Sequence, residues 1–185
     1  MEKLQECASS VSTNNIIPIV CDITSKEALE AAASQISSEV GFINLLCCNA
    51  GIVGPLSFKI PPRGATLSEF AKAQSEVDIE QYVDVFRTNV AALWFTAIMF
   101  LELLDEGNKK KNVDWSSQIV TTSSVGGFNR MTQGNYAYGQ SKSAVTHMTK
   151  QLATQLVAYG IRANCIAPGR MLFFPVLSHN GISGR

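Results

Sequence analysis

The chain reads as an α/β domain built on a parallel sheet, and three observations predict that class. Four short apolar runs rich in β-branched residues, at 16–21, 43–48, 118–122 and 161–166, have the length and composition of buried strands. The segments between them carry apolar residues at helical spacing, and strands that alternate with helices imply parallel pairing with helices on both faces. Each run also ends in a polar or turn-forming signature: Asp22, Asn49-Ala50-Gly51, Ser124 and Pro168-Gly169. In open parallel sheets the ligand sits beyond the carboxyl ends of the strands, where these four signatures fall.

Each element has a local reason. Residues 2–12 have helical character, and Asp22-Ile23-Thr24 closes the first apolar run. Ser25 is placed to cap a helix from Lys26 to about Val40, which Gly41 stops. The second run, 43–48, leads into a loop over 51–65 punctuated by Pro55, Pro61, Pro62 and Gly64. Asp78 opens a long helix to about Leu104, with Val83, Phe86, Val90, Leu93, Ala97 and Leu101 along one stripe. Asp105 to Trp115 reads as polar loop. After the third run and Ser123-Ser124-Val125-Gly126-Gly127, a last helix covers about 136–159 and ends at Gly160. No internal repeat interrupts this order, and 1–185 reads as a single domain.

Composition excludes several classes. The 185 residues carry 15 basic and 15 acidic side chains, so nothing draws the chain electrostatically to nucleic acid or an anionic membrane. The run Lys109-Lys110-Lys111 is short and reads as solvated. The most apolar stretch, Val90 to Leu104, contains Thr96 and Glu102 and falls short of the roughly 18 uninterrupted apolar residues of a spanning helix. Residues 1–20 lack the charged, apolar and small-residue order of a secretory leader. Five cysteines, odd in number and without a Cys-x-x-Cys pair, point to reduced thiols packed in strands and to the cytoplasm. His147 and His179 have no ligand spacing, so no metal is expected.

The residues that carry chemistry are Tyr138, Lys142 and Ser124. Tyr138 and Lys142 stand four apart, on one face of a helix, where an ammonium beside a phenol favours its ionised form. Ser124, arriving from a strand end, is suited to bond the oxygen of a carbonyl or alcohol. This is an acid/base pair with a polarising partner.

The sequence here resembles the short-chain dehydrogenase/reductase family over nearly all of residues 1–170. The matching pieces are Cys21-Asp22-Ile23-Thr24, Cys48-Asn49-Ala50-Gly51, Thr88-Asn89-Val90, Ser123 to Gly127, Tyr138-x-x-Ser141-Lys142 and Ala167-Pro168-Gly169. Each is weak alone; together, in order and spacing, they are specific. The resemblance implies a Rossmann-like doubly wound parallel sheet flanked by helices, and interconversion of a ketone and a secondary alcohol with NADP or NAD, NADP slightly favoured.

It also implies roles. Tyr138 is the acid/base, Lys142 lowers its pKa and bonds the nicotinamide ribose, and Ser124 holds the substrate oxygen, with Ser123 its competitor for that role. Asn89 holds a water that relays protons to Lys142. Asp22 and Ile23 approach the adenine, Asn49, Ala50 and Gly51 line the adenosine side, and Pro168 and Gly169 lie against the nicotinamide. The helices over 78–104 and 136–159 match those that pair two copies in the family. A catalytically silent form acting through that pairing is the alternative, and an epimerase or dehydratase sharing Tyr-x-x-x-Lys is a third.

Two departures bear on these expectations. The family's opening strand, Gly-rich turn and helix, and the strand after it that selects NAD or NADP, have no counterpart in residues 1–185. The sheet is therefore expected to be incomplete, lacking two strands and its C-terminal end, and activity of this chain alone does not follow. After Gly169 the run Arg170 to Pro175 replaces the threonine expected there. Ile52, Val53, Leu56, Phe58, Phe173 and Phe174 suggest a small, carbon-rich substrate.

Overall fold

The structure, a computed structural model, describes residues 2–9, 15–54, 66–130 and 136–169. Its centre is a three-stranded parallel sheet in the order β1 (Leu45–Cys48), β2 (Gln118–Thr122), β3 (Arg162–Ile166). The register sets Cys48 opposite Thr121, and Thr121 opposite Cys165. Successive side chains of a strand point to opposite faces. Cys48, Ile119 and Thr121 are buried on one face, while Leu45, Cys47 and Ile166 are exposed on the other.

The buried face meets the helices. Ile119, wholly buried, lies in one cluster with Leu93, Ala97, Leu104, Val145 and Met148. Full burial of a side chain of that size contributes about 1.5–3 kcal/mol. The helices that carry Leu93, Ala97, Val145 and Met148 pack on this face.

The expected strand at 16–21 is corrected. It runs extended and alternates: Ile19, Cys21 and Ile23 pack with Leu29, Phe100 and Leu103, whereas Ile17 and Val20 are each 60% exposed. It forms no ladder with a described strand. A strand exists only through its partner, and an apolar alternating run does not reveal whether that partner is at hand.

Helix ends follow their caps. α1 covers Glu2–Ser9. α2 (Lys26–Glu39) begins where the Ser25 hydroxyl accepts the Ala28 N–H at 3.2 Å, and ends at Gly41, whose φ of +86° suits glycine. α3 (Leu67–Ser75) was not foreseen, although its signature was present. Thr66 and Glu69 form a reciprocal capping box, with Thr66 N–H donating to Glu69 at 2.7 Å.

The long helix expected over 78–104 is broken and runs further. α4 (Ile79–Phe86), capped by Asp78, passes through a π-helical turn at Arg87–Ala91 into α5 (Ala92–Met99). A break at Phe100 leads to α6 (Leu101–Lys110), which absorbs the first half of the expected polar loop. Lys111, at φ +52°, ends it. Gly107 explains the extension: a Cβ there would stand 2.0 Å from the Ile43 carbonyl oxygen, so α6 lies against the chain entering β1. α7 (Tyr136–Gln155) finishes in a 3₁₀ turn, Leu156–Tyr159, before Gly160.

Candidate active site

Three segments meet beyond the carboxyl ends of β1 and β2: the turn at Asn49–Ile52, the π turn around Asn89, and the first turns of α7. Their closeness shows at Gly51. A Cβ there would lie 2.9 Å from Asn89 Oδ1 and 3.6 Å from Lys142 Nζ, a cradle that only glycine leaves open. Gly126 reports the other side: its Cβ would stand 3.4 Å from Ser124 Oγ and 3.6 Å from Tyr138 Cε1. Lys142 Nζ lies 5.7 Å from the centroid of the Tyr138 ring. Tyr138, Lys142, Ser124, Asn89 and Gly51 are therefore one cluster, drawn from four segments of the chain.

Lys142 is 4% exposed and donates to the Thr122 carbonyl at 2.7 Å. Burial lowers its pKa from the ordinary lysine value, against a smaller opposing contribution from Cys165. One bond leaves two ammonium protons for other acceptors.

The two serines separate. Ser123 is buried, donates to the Lys142 carbonyl at 2.8 Å and shares a 2.8 Å bond with the Thr146 hydroxyl, so it ties β2 to α7. Ser124 is half-buried and accepts the Gly126 N–H at 3.1 Å. Among the described residues its hydroxyl proton has no acceptor.

Asn89 is wholly buried, and its carboxamide is committed to the protein. Oδ1 accepts the Ile52 N–H at 2.8 Å; Nδ2 donates to the Ile52 carbonyl at 2.9 Å and to Ser141 Oγ at 3.0 Å. Both amide protons are used, so a water held at Asn89 would have to be met by other atoms of the residue. Ser141 passes the chain on, donating to the Tyr138 carbonyl at 2.7 Å. π turns recur at functional sites, and this one turns Asn89 inward on an otherwise apolar helix.

Pro168 and Gly169 lie beside the serine turn: the Pro168 carbonyl accepts the Val125 N–H at 3.0 Å, and a Cβ on Gly169 would be 3.9 Å from Val125 Cγ1. Asn49 accepts the Thr122 hydroxyl at 3.0 Å, and Ala50 is exposed. Asp22 closes on Thr24, taking its hydroxyl at 2.7 Å and its N–H at 2.9 Å, and these bonds lower the carboxyl pKa. Ile23 packs toward α2. These two are not brought into contact with the cluster.

Leu56, Phe58, Phe173 and Phe174 lie outside the described residues, as do Arg170 to Pro175. Among the described residues no group of three or more His, Cys, Asp or Glu side chains is placed to hold a metal. Cys21, Cys47, Cys48 and Cys165 are free thiols, and burial, with Cys47 alongside, pushes Cys48 up to about 12. Cys47 is exposed, against the expectation of a packed thiol.

Sequence reasoning passed over Thr122 and Ser141. Ser141 had a signal, since a helical serine commonly returns its hydroxyl to a carbonyl one turn back. Thr122 had none, because its partners depend on the strand register.

Comparison with known proteins identifies the family. The family model described as short chain dehydrogenase matches residues 1–174. The short-chain dehydrogenase/reductase PhomF' of Diaporthe leptostromiformis is 48% identical over 155 residues, covering 84% of this chain and 53% of that protein. Among solved structures, NAD+-bound xylitol dehydrogenase superposes with a TM-score of 0.73 at 25% identity, over 91% of this chain and 56% of its own. The Pseudomonas aeruginosa RhlG/NADP active-site complex gives 0.66 at 25% identity, over 82% and 52%. The chain spans about half the length of the relatives it matches. On the sequence match and the shared architecture together, the chain belongs to the short-chain dehydrogenase family.

Proposed function

We propose that the whole protein interconverts a ketone and a secondary alcohol on a small, carbon-rich molecule, using NADP or NAD. The observation that carries this reading is the convergence of Tyr138, Lys142 and Ser124 around Gly51 and Gly126 at the sheet's carboxyl end.

The residues present fit a nicotinamide nucleotide on its ribose side. Gly51 leaves room that a Cβ would fill, Lys142 has two uncommitted protons, and Asn49 Nδ2 is unengaged among the described residues. Such a nucleotide supplies the hydride when bound. Ser124 Oγ donates to the substrate oxygen, and the Tyr138 phenol gives that oxygen its proton in reduction or takes it in oxidation. The buried Lys142 ammonium, held by the Thr122 carbonyl, keeps positive charge beside the phenol. Acid/base help of this kind contributes about 10²- to 10⁴-fold. Ile52 and Val53, both exposed, follow Gly51 directly and are apolar. The free thiols fit a reducing, cytoplasmic setting.

The test is a full-length form that spans the length of the relatives. With NADPH or NADH and a panel of alkyl and aryl ketones, nucleotide oxidation should match alcohol formation one to one. No turnover with any ketone or secondary alcohol would overturn the reading.

A second copy of the chain is the partner this reading assigns to an exposed groove between α4, α5 and α7. Val83, Trp94 and Phe95 are 41%, 37% and 43% exposed there, around a cavity of about 670 Å³. A stable dimer that Trp94→Lys dissociates in sedimentation supports the assignment; a monomer at all concentrations refutes it. A dimer without nucleotide turnover would favour the catalytically silent alternative.

A further inference from the structure

Thr122 stands at the last position of β2 and touches both halves of the site through different atoms. Its hydroxyl donates to Asn49 Oδ1 at 3.0 Å, across the β1–β2 ladder, and its carbonyl accepts Lys142 Nζ at 2.7 Å. The ladder explains the first bond. Cys48 pairs with Thr121, so the next residues, Asn49 and Thr122, come side by side on the same face.

An asparagine amide has an acceptor end and a donor end, and its orientation decides which one the cleft meets. With Oδ1 held by a hydroxyl proton, the two Nδ2 protons are left without a partner among the described residues. A side chain at 122 without a hydroxyl would release that choice. The same residue fixes the ammonium of Lys142 through its backbone, which no side-chain substitution removes.

We infer that Thr122 is a positioning residue, whose hydroxyl orients the Asn49 amide so that its N–H donors serve an acceptor oxygen of the bound nucleotide. This rests on the nucleotide-dependent reading above. The residue does not touch the reacting atoms. It acts through Asn49 on binding, and it leaves the proton transfer at Tyr138 to the groups already described.

Two substitutions separate orientation from packing. Thr122→Val keeps the β-branched shape and strand propensity but removes the hydroxyl, and Thr122→Ser restores the hydroxyl without the methyl. The Asn49 side-chain amide signals in ¹⁵N–¹H spectra, assigned by their loss in Asn49→Asp, report orientation in the chain itself and need no ligand. Native protein and Thr122→Ser should give a single ordered pair with shifts away from those of free asparagine, and Thr122→Val a pair averaged toward free asparagine. Calorimetry with NADPH and NADH on the full-length form should show Kd raised about 3- to 10-fold by Thr122→Val, the size of one hydrogen bond, and restored by Thr122→Ser. The effect should fall on Kd and KM, with kcat and its pH profile unchanged.

Unchanged amide signals in Thr122→Val would overturn the inference, whatever the nucleotide does. So would equal Kd values in all three proteins. If the native full-length form binds neither nucleotide, the functional reading fails while the amide signals still decide whether Thr122 orients Asn49.

Discussion

Replacing Ser123 and Ser124 one at a time separates the neighbour that builds the site from the one that works in it. Ser123 is 2% exposed and makes two bonds of 2.8 Å, to the Lys142 carbonyl and the Thr146 hydroxyl. Each such bond contributes about 1 kcal/mol net. The Lys142 carbonyl keeps the Thr146 hydroxyl at 3.1 Å when Ser123 is gone, so it is not stranded. Ser123→Ala should therefore cost about 1–2 kcal/mol, which lowers Tm by roughly 2–8 °C in a domain this size. Among the described residues Ser124 has only its bond to the Gly126 N–H, at a half-buried turn, and Ser124→Ala should change stability by less than about 1 kcal/mol. Activity should move the other way. Loss of a donor aimed at a reacting oxygen costs about 10²- to 10³-fold in kcat, whereas Ser123→Ala should retain turnover within a few-fold. Thermal melts of the chain and ketone reduction by the full-length form provide both readings. A stable, inactive Ser123→Ala beside an active Ser124→Ala would refute the reasoning.

Three other outcomes follow from the same geometry. Because burial lowers the Lys142 pKa in the folded state below 10.5, the unfolded chain holds more protons at this group between the two values, and Lys142 contributes a rise in stability with pH through that window. Cys48, raised to about 12, contributes a fall above its ordinary value of 9.0, so the test is a difference between proteins. Lys142→Met should remove the Lys142 contribution, read as a pH-dependent difference between native and variant urea midpoints from pH 7 to 10.5; a difference that stays constant would show that Lys142 is not its source. Gly51→Ala would bring a Cβ to 2.9 Å from Asn89 Oδ1 and displace the carboxamide that holds Ile52, at a cost of about 1–3 kcal/mol in urea unfolding. A neutral Gly51→Ala would mean that the turn yields freely. In native protein an alkylating reagent at pH 8 should modify exposed Cys47 and spare Cys48, held neutral by a pKa of about 12; peptide mass analysis showing the reverse would contradict the assigned faces of β1.

The sequence announced most of what local chemistry decides. The strands at 45–48, 118–122 and 162–166 fall inside the apolar runs; the Ser25 hydroxyl caps one helix, and Gly160, at φ +65°, ends another. The cluster of Tyr138, Lys142 and Ser124 was legible because motif order and strand ends coincide. What escaped depends on contacts distant in the chain. The run at 16–21 has strand composition but no partner among the described strands to make it one, and alternation alone does not report pairing. The helix at 78–104 hides its π turn because Asn89 looks like an isolated polar residue until Ile52 and Ser141 close around it. Gly107 inside α6 reads as a helix breaker, yet it is there to let the helix meet the Ile43 carbonyl. Thr122 and Ser123 could not be told from ordinary strand-end residues until the register and α7 supplied their partners.

Removing one oxygen from Tyr138 tests the central claim most directly. In the full-length form, Tyr138→Phe should bind NADPH or NADH within a few-fold of the native protein, since the ring and its place over Lys142 remain. Steady-state ketone reduction should fall by at least about 10²-fold, the lower end of what a positioned acid supplies. Turnover at the native rate with nucleotide bound would contradict the assignment of the phenol as the proton donor, and with it the chemistry ascribed to this cluster.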